Sequence, residues 1–158
     1  MTVTEVAVSR FDQGYSCSQA VFSSLAELWG IDPAVSLRIA AGFGGGLART
    51  AGTCGCVTGA MMAIGLAQGD VTAEHNRSEK EKTCLACRKL MSAFEEKHGS
   101  TQCLRLLGVD ISTPDGLQEV RQNALLHARC RGLVRGAVEI VEAMLPEVTA
   151  GRQPDFLR

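Results

Sequence analysis

Two cysteines separated by one glycine, Cys54-Gly55-Cys56, have the residue types and spacing best suited to chemistry in this chain. They follow the glycine-rich stretch "GFGGGLARTAGT" and precede small and apolar residues that predict a helix. At a helix start, exposed backbone N–H groups and the helix dipole favour the thiolate, which is the form that binds metals and attacks disulfides. We therefore predict that Cys54 and Cys56 are metal ligands or a catalytic redox pair, with two buried thiols at a tight turn as the structural alternative.

Three other cysteines lie on apolar faces of predicted helices in distant parts of the chain. Cys17 lies on the apolar face of the first predicted helix, Cys103 shares a face with Leu106, and Cys130 is in register with Leu133. Inward-facing residues of separate helices meet in a bundle core, which is how bundle metal sites are assembled. Each of these cysteines taken alone also suits an ordinary small core position, because free cysteine is often buried.

The remaining pair, Cys84 and Cys87, forms a Cys-x-x-Cys motif in "EKTCLACRKLM". With Met91 and Phe94 the pair continues one apolar helical face, which is typical of core packing. A thioredoxin-like motif needs its first cysteine at a helix start after a strand, and a charged helical run precedes this one. Arg88 stands where a covalent haem site needs histidine, so no covalent haem is expected. The pair is predicted to supply auxiliary ligands or a resolving dithiol.

The whole chain limits the classes of function. Its 158 residues suit one domain with its own core, and a formal charge of −1 gives no reason to expect nucleic acid or an anionic membrane as partner. No apolar run approaches the length that crosses a bilayer, and the first residues lack a signal peptide, so we expect the cytoplasm. Seven cysteines in that compartment indicate metal binding or redox chemistry, or merely small core residues.

The elements that must position the cysteines are predicted to be helices, since sustained period-2 alternation is missing. Thr72 is the predicted cap of a long charged helix, and Pro146 the predicted end of the last helix, which is either continuous or a broken pair. We predict an all-α, single-domain bundle of about five or six helices over residues 1–148, with a loose tail over 149–158. The predicted helices span 16–28, 33–41, 57–67, 72–99, 102–107 and 118–145.

The glycine run itself does not predict a nucleotide site. Leu47 takes the place of the last glycine of a dinucleotide fingerprint, no strand is predicted before the run, and no Gly-Lys-Ser/Thr ending follows. We expect the glycines to let the backbone run close to the thiols or to neighbouring helices.

The order of these features resembles the family of redox-active proteins named for its C-GCAxxG-C-C pattern, which also includes the split-Soret cytochrome. Four blocks in order carry the resemblance, with Val57 standing where the family label has alanine. The blocks are "FDQGYSCSQAVF", "GFGGGLARTAGTCGCVTGAMMAIG", "TQCLRLLGVD" and "HARCRGLVRGAVEIVEAML". The resemblance implies a small helical redox protein from a prokaryote. In the cytochrome relatives the cysteines are associated with a non-haem iron–sulfur centre.

The leading prediction is an electron-transfer protein with a thiolate centre that binds an iron–sulfur cluster or a single metal. The predicted ligands are Cys17, Cys56, Cys103 and Cys130, with Cys54 as a fifth ligand or redox partner. A second hypothesis is a metal-free thiol–disulfide oxidoreductase using Cys54 and Cys56, with Cys84 and Cys87 resolving. A third is a structural helical protein with core cysteines. Small-residue helix faces and the cytochrome relatives favour a homodimer, and the sequence does not identify the redox partner protein.

Overall fold

Helices account for nearly all of the regular structure. A computed structural model describes residues 1–69 and 76–151. Within these residues the chain forms eight α-helices and no strand, and its one extended pairing is an isolated bridge between Thr53 and Gln102. The all-α single-domain fold is confirmed, with more helices than the five or six predicted. The helices are α1 (Val3–Asp12), α2 (Cys17–Ala26), α3 (Pro33–Ile39), α4 (Gly55–Gln68), α5 (Asn76–His98), α6 (Cys103–Leu107), α7 (Pro114–Gln122) and α8 (Ala124–Val148).

The first helix is the element that the prediction missed. The Thr2 hydroxyl accepts a hydrogen bond from the Glu5 amide, and the Glu5 carboxylate accepts one from the Thr2 amide, so that a capping box starts α1. Ala7 and Val8 then bury one face of α1 against α2 and α8. The capping pattern and this apolar face were the available sequence signals.

The last predicted helix is a broken pair. Asn123 ends α7, and its side-chain oxygen accepts hydrogen bonds from the first amides of α8. The prediction that Pro146 ends α8 is wrong, because the helix continues to Val148. Burial of Val148 in the core and the hydrogen bonds that the Leu145 carbonyl accepts from the Thr149 amide and hydroxyl sustain this final turn.

Two predictions lie wholly or largely outside the described residues. The Thr72 cap lies in the undescribed gap, and the tail predicted over 149–158 is described only as far as 151. No helix among residues 1–69 and 76–151 is long and apolar enough to cross a membrane.

The closest helix contact lies between α2 and α4, which form the most extensive helix pair. A Cβ atom added at Gly59 of α4 would lie 2.7 Å from the Ser18 carbonyl oxygen of α2. At Gly55 an added Cβ would lie 3.0 Å from the Ser18 amide nitrogen and 3.2 Å from the Cys17 Cβ. The two glycines therefore let the amino-terminal ends of α2 and α4 approach almost backbone to backbone.

The chain before α4 turns through a left-handed segment. Gly45 and Gly46 have positive φ, and so do four residues other than glycine, for which this conformation costs about 1–2 kcal/mol each. These four are Leu47, Ala48, Arg49 and Ala51. Backbone hydrogen bonds from the amides of Ala48, Ala51 and Gly52 back to Gly42, Gly45 and Gly46 close the segment. Local strain of this kind often marks a functional region.

Gly59→Ala is expected to lower the free energy of unfolding by about 1–3 kcal/mol, because the new methyl group has no space against α2. Gly65→Ala on the same helix is the matched control, since nothing lies within 4 Å of the Cβ position there. This control is expected to gain up to about 1 kcal/mol from helix propensity. Urea unfolding of both variants measures the difference, and equal effects would contradict the close contact.

Ala48→Gly is expected to stabilise the protein by up to about 1 kcal/mol, because glycine adopts the positive φ of this position without the steric cost of Cβ. Ala128→Gly, at an exposed position within α8, is the control and is expected to destabilise by about 1 kcal/mol. Thermal and urea unfolding measure both values. Destabilisation by Ala48→Gly as large as that of the control would contradict the left-handed segment.

Candidate functional site

Cys17 begins helix α2, and its position follows from the cap of that helix. The Ser16 hydroxyl accepts a hydrogen bond from the Gln19 amide, and the Gln19 side chain accepts one from the Ser16 amide. The capping box fixes Cys17 at the first helical position, where the positive end of the helix dipole acts on its sulfur. Cys17 is half-buried and packs against both hydrophobic clusters of the protein.

Backbone pairing brings the Cys54 segment beside the Cys103 segment. The Cys54 amide donates to the Thr101 carbonyl at 2.8 Å, and the Cys103 amide donates to the Gly52 carbonyl at 2.7 Å. Cys54 is the residue that precedes α4, and Cys103 is the first residue of α6. Two cysteines that are almost fifty residues apart in sequence are thus held on adjoining chain segments.

Four cysteines from separate elements line one cavity of about 150 Å³. Cys17 comes from α2, Cys54 from the start of α4, Cys103 from α6 and Cys130 from the amino-terminal half of α8. Apart from these thiols and Ser16, Gly45 and Gly55, the described lining is apolar. It consists of Phe11, Leu106, Leu107, Ile111, Val120 and Leu133.

Cys56 lies behind this cavity rather than in its lining. It is the second residue of α4 and is fully buried within the main hydrophobic core. Its thiol lies next to those of Cys17 and Cys54, which both act on its pKa. Together the five sequence-predicted ligands form one cluster, which we call the thiol cluster: Cys17, Cys54, Cys56, Cys103 and Cys130.

Hydrogen bonds within the thiol cluster concentrate negative charge on Cys17. Bonds from the thiols of Cys130 and Cys56 hold the pKa of Cys17 well below its ordinary value, with a smaller contribution from its position at the helix start and from His127. Burial opposes this shift. Cys17 is therefore the thiol of the cluster that most readily becomes a nucleophilic thiolate.

The other thiols of the cluster whose pKa values shift are held in the neutral, protonated form. The hydrogen bond to Cys17, followed by burial, raises the pKa of Cys130. Burial, followed by the bonds to Cys17 and Cys54, raises the pKa of Cys56. Burial also raises the pKa of Cys103 to about 12. The cluster therefore combines one favoured thiolate with neutral thiol donors around it.

Whether the thiol cluster fits a metal depends on the chemistry of its donor atoms and on the arrangement of its sulfurs. The donor chemistry fits, because several soft sulfur ligands meet in an apolar surrounding, as thiolate metal centres require. The sulfurs are not already arranged around a metal position, because no group of three or more His, Cys, Asp or Glu among the described residues is arranged to hold a metal ion. Binding would therefore change the present arrangement of the sulfurs.

Cys84 and Cys87 do not join the thiol cluster. Both lie on α5, with Cys84 exposed and Cys87 packed against the main core, and neither lines the cavity. Burial, followed by the neighbouring Cys84, raises the pKa of Cys87.

Aromatic residues at the cavity are the part of the site that the sequence reasoning missed. Phe11 of α1 lines the cavity, and the His127 ring stacks on it with 4.9 Å between ring centroids. His127 is exposed, and it acts on Cys17 through its charge. The signal for Phe11 was its i, i+3 and i, i+4 spacing from Val8 and Ala7, which required α1 to be recognised first.

Comparison with known proteins identifies the family. The family model described as "Putative redox-active protein (C_GCAxxG_C_C)" matches residues 15–144. The chain belongs to this family, and the matched range contains all seven cysteines. No curated protein and no solved structure matches the chain.

Iodoacetamide is expected to alkylate Cys17 of the metal-free, reduced protein at a rate that falls less between about pH 9 and about pH 7 than that of free cysteine, because the lowered pKa of Cys17 preserves more of its thiolate as the pH falls. Cys130→Ala removes the larger hydrogen bond, raises the pKa of Cys17 and should slow its labelling at about pH 7 by about tenfold or more. Peptide mass spectrometry measures the rate. Cys84→Ala is the control, and a Cys17 rate unchanged in Cys130→Ala would contradict the hydrogen-bonded thiolate.

Proposed function

We propose that this redox-active protein transfers electrons through a metal centre held by the thiol cluster, an iron–sulfur cluster or a single thiolate-bound metal. One observation supports this proposal above the others. Cysteines from four separate elements line a single cavity whose other described walls carry no charged side chain. Convergence of four remote thiols is not needed for core packing, whereas thiolate metal centres depend on it.

We assign the metal to the four cysteines in the cavity lining: Cys17, Cys54, Cys103 and Cys130. Cys56 would then support the centre from behind, where its thiol lies next to those of Cys17 and Cys54. This assignment makes Cys54 a metal ligand and Cys56 a supporting residue, the reverse of the roles predicted from the sequence. The sequence pattern alone left open which of the two takes which role. The reason is that Cys54 faces the cavity and Cys56 does not.

The surrounding residues would tune such a centre. The apolar side chains of Phe11, Ile111 and Leu133 keep water from the sulfurs, and the amino-terminal end of α2 stabilises negative charge on Cys17. When bound, the metal supplies one-electron chemistry at a site that needs no substrate bond to be made or broken.

A metal-free dithiol is the second candidate, favoured because Cys17 and Cys130 line the same cavity and because the pKa of Cys17 is lowered while that of Cys130 is raised. The Cys17 thiolate would attack a substrate disulfide and release one substrate thiol, leaving a mixed disulfide. Cys130 would then lose its proton and displace the second substrate thiol from Cys17. Two electrons pass to the substrate disulfide, and the protein keeps a Cys17–Cys130 disulfide. This pair replaces Cys54 and Cys56 in the earlier hypothesis because its hydrogen bond dominates the pKa shifts of both partners.

Anaerobic purification followed by iron and acid-labile sulfide analysis tests the metal proposal. The wild-type protein is expected to contain iron and to absorb visible light, and Cys103→Ser and Cys130→Ser should lose most of both. Cys56→Ala, which removes the supporting thiol, should weaken iron retention against a chelator by about tenfold. The double variant Cys84→Ser/Cys87→Ser is the matched control and should equal the wild type.

The same preparations separate the two candidates. A colourless wild-type protein without iron or another stoichiometric metal would contradict the metal proposal. A reversible two-electron couple in that metal-free protein, abolished by Cys17→Ser and by Cys130→Ser, would establish the dithiol instead.

A further inference from the structure

Two clefts flank the cavity of the thiol cluster, and arginines line both. One cleft, of about 580 Å³, contains Arg49 and Arg121 and shares Ser16, Gly45 and Ile111 with the cavity lining. The other, of about 520 Å³, contains Arg105 and Arg129 and shares Leu106 and Leu133 with it. The arginines therefore lie on two sides of the cavity.

The charge of these clefts is not neutralised within the described residues. Arg49, Arg105, Arg121 and Arg129 are all exposed, and none forms an ion pair with a described carboxylate. No Asp or Glu belongs to the described lining of either cleft. Lys97 in the second cleft is paired with Glu139, and the nearby Asp110 carboxylate accepts hydrogen bonds from Ser112. In a chain with a formal charge of −1, this is an uneven concentration of positive charge.

Exposed leucines lie among the same arginines. Leu47 is two residues from Arg49, Leu104 precedes Arg105, and Leu125 is one helical turn before Arg129 on α8. Leu125 is 80% exposed. Arginine is enriched at protein interfaces, and exposed apolar side chains beside it suit a protein partner better than a small anion.

We infer that this arginine face, formed by the four arginines and the three leucines, docks an electron-carrier protein that presents acidic residues around its own cofactor. The inference rests on the proposed redox function, and it names the class of partner. Opposite charge around the two redox sites would steer the proteins together and hold the carrier next to the cavity that Cys17, Cys103 and Cys130 line.

Binding of an acidic flavodoxin to the anaerobically purified protein tests this inference. Biolayer interferometry should give a Kd that rises about tenfold or more between about 20 mM and about 300 mM salt, because screening weakens charged contacts. Arg49→Glu/Arg121→Glu and Arg105→Glu/Arg129→Glu should each raise the Kd at low salt about tenfold or more. Leu125→Ala, which leaves the charge unchanged, should raise it by a few-fold.

The control is Arg77→Glu/Arg88→Glu on α5, which changes the charge by the same amount away from both clefts. It should change the Kd less than about twofold, since only long-range charge is altered. Circular dichroism checks folding, and the single variants Arg49→Glu and Arg105→Glu, each expected to weaken binding, remain informative if a double variant does not fold.

Several results would overturn the inference. These are no binding at low salt, equal weakening by the control pair, equally tight binding of the basic carrier cytochrome c, or equally tight binding of duplex DNA. Iron analysis of the same samples keeps the two proposals apart. Arginine-dependent binding without iron would contradict the metal proposal alone, and iron without arginine-dependent binding would contradict the docking inference alone.

Discussion

The close contact between α2 and α4 is the constraint on which the site depends. Gly55 and Gly59 leave no side chain between the two backbones, so the amino-terminal ends of both helices meet at Ser18. Cys17 begins one helix, and Cys54 precedes the other. Any larger residue at Gly59 would separate the helices and, with them, the sulfurs. The same contact directs two helix amino termini at the thiols, where their dipoles favour negative charge.

The thiol cluster also lies at the junction of the protein's two hydrophobic clusters. Cys54 and Cys56 belong to the main core, Cys103 and Cys130 belong to the smaller one, and Cys17 packs against both. The left-handed segment before α4 makes this junction possible, because it lets the chain turn back within a few residues and pair with the segment before α6. Ala51 at the end of this segment is buried beside the thiols together with Ile111.

The sequence predicted the helical class and the inward direction of Cys17, Cys103 and Cys130, because apolar spacing of three and four residues reports which face of a helix is buried. The same spacing was misleading for Cys84, which is exposed. It could not predict which of Cys54 and Cys56 faces the cavity, since that depends on the torsion angles of one turn. The bonds that join Gly52 and Cys54 to the α6 segment are long-range and leave no local pattern. The sequence analysis missed α1, although Thr2 and Glu5 form a capping box at its start. It therefore also missed Phe11, which lies on α1 and lines the cavity.

The central claim is that thiols from four separate elements act on one redox centre. X-ray absorption at the iron edge of the anaerobically purified protein tests this claim most directly, because it reports the atoms bound to the metal. The account predicts a first ligand shell of sulfur alone, at about 2.3 Å, the usual metal–thiolate distance. A first shell of oxygen or nitrogen, or the same sulfur shell after Cys17, Cys54, Cys103 and Cys130 are all replaced by serine, would contradict it.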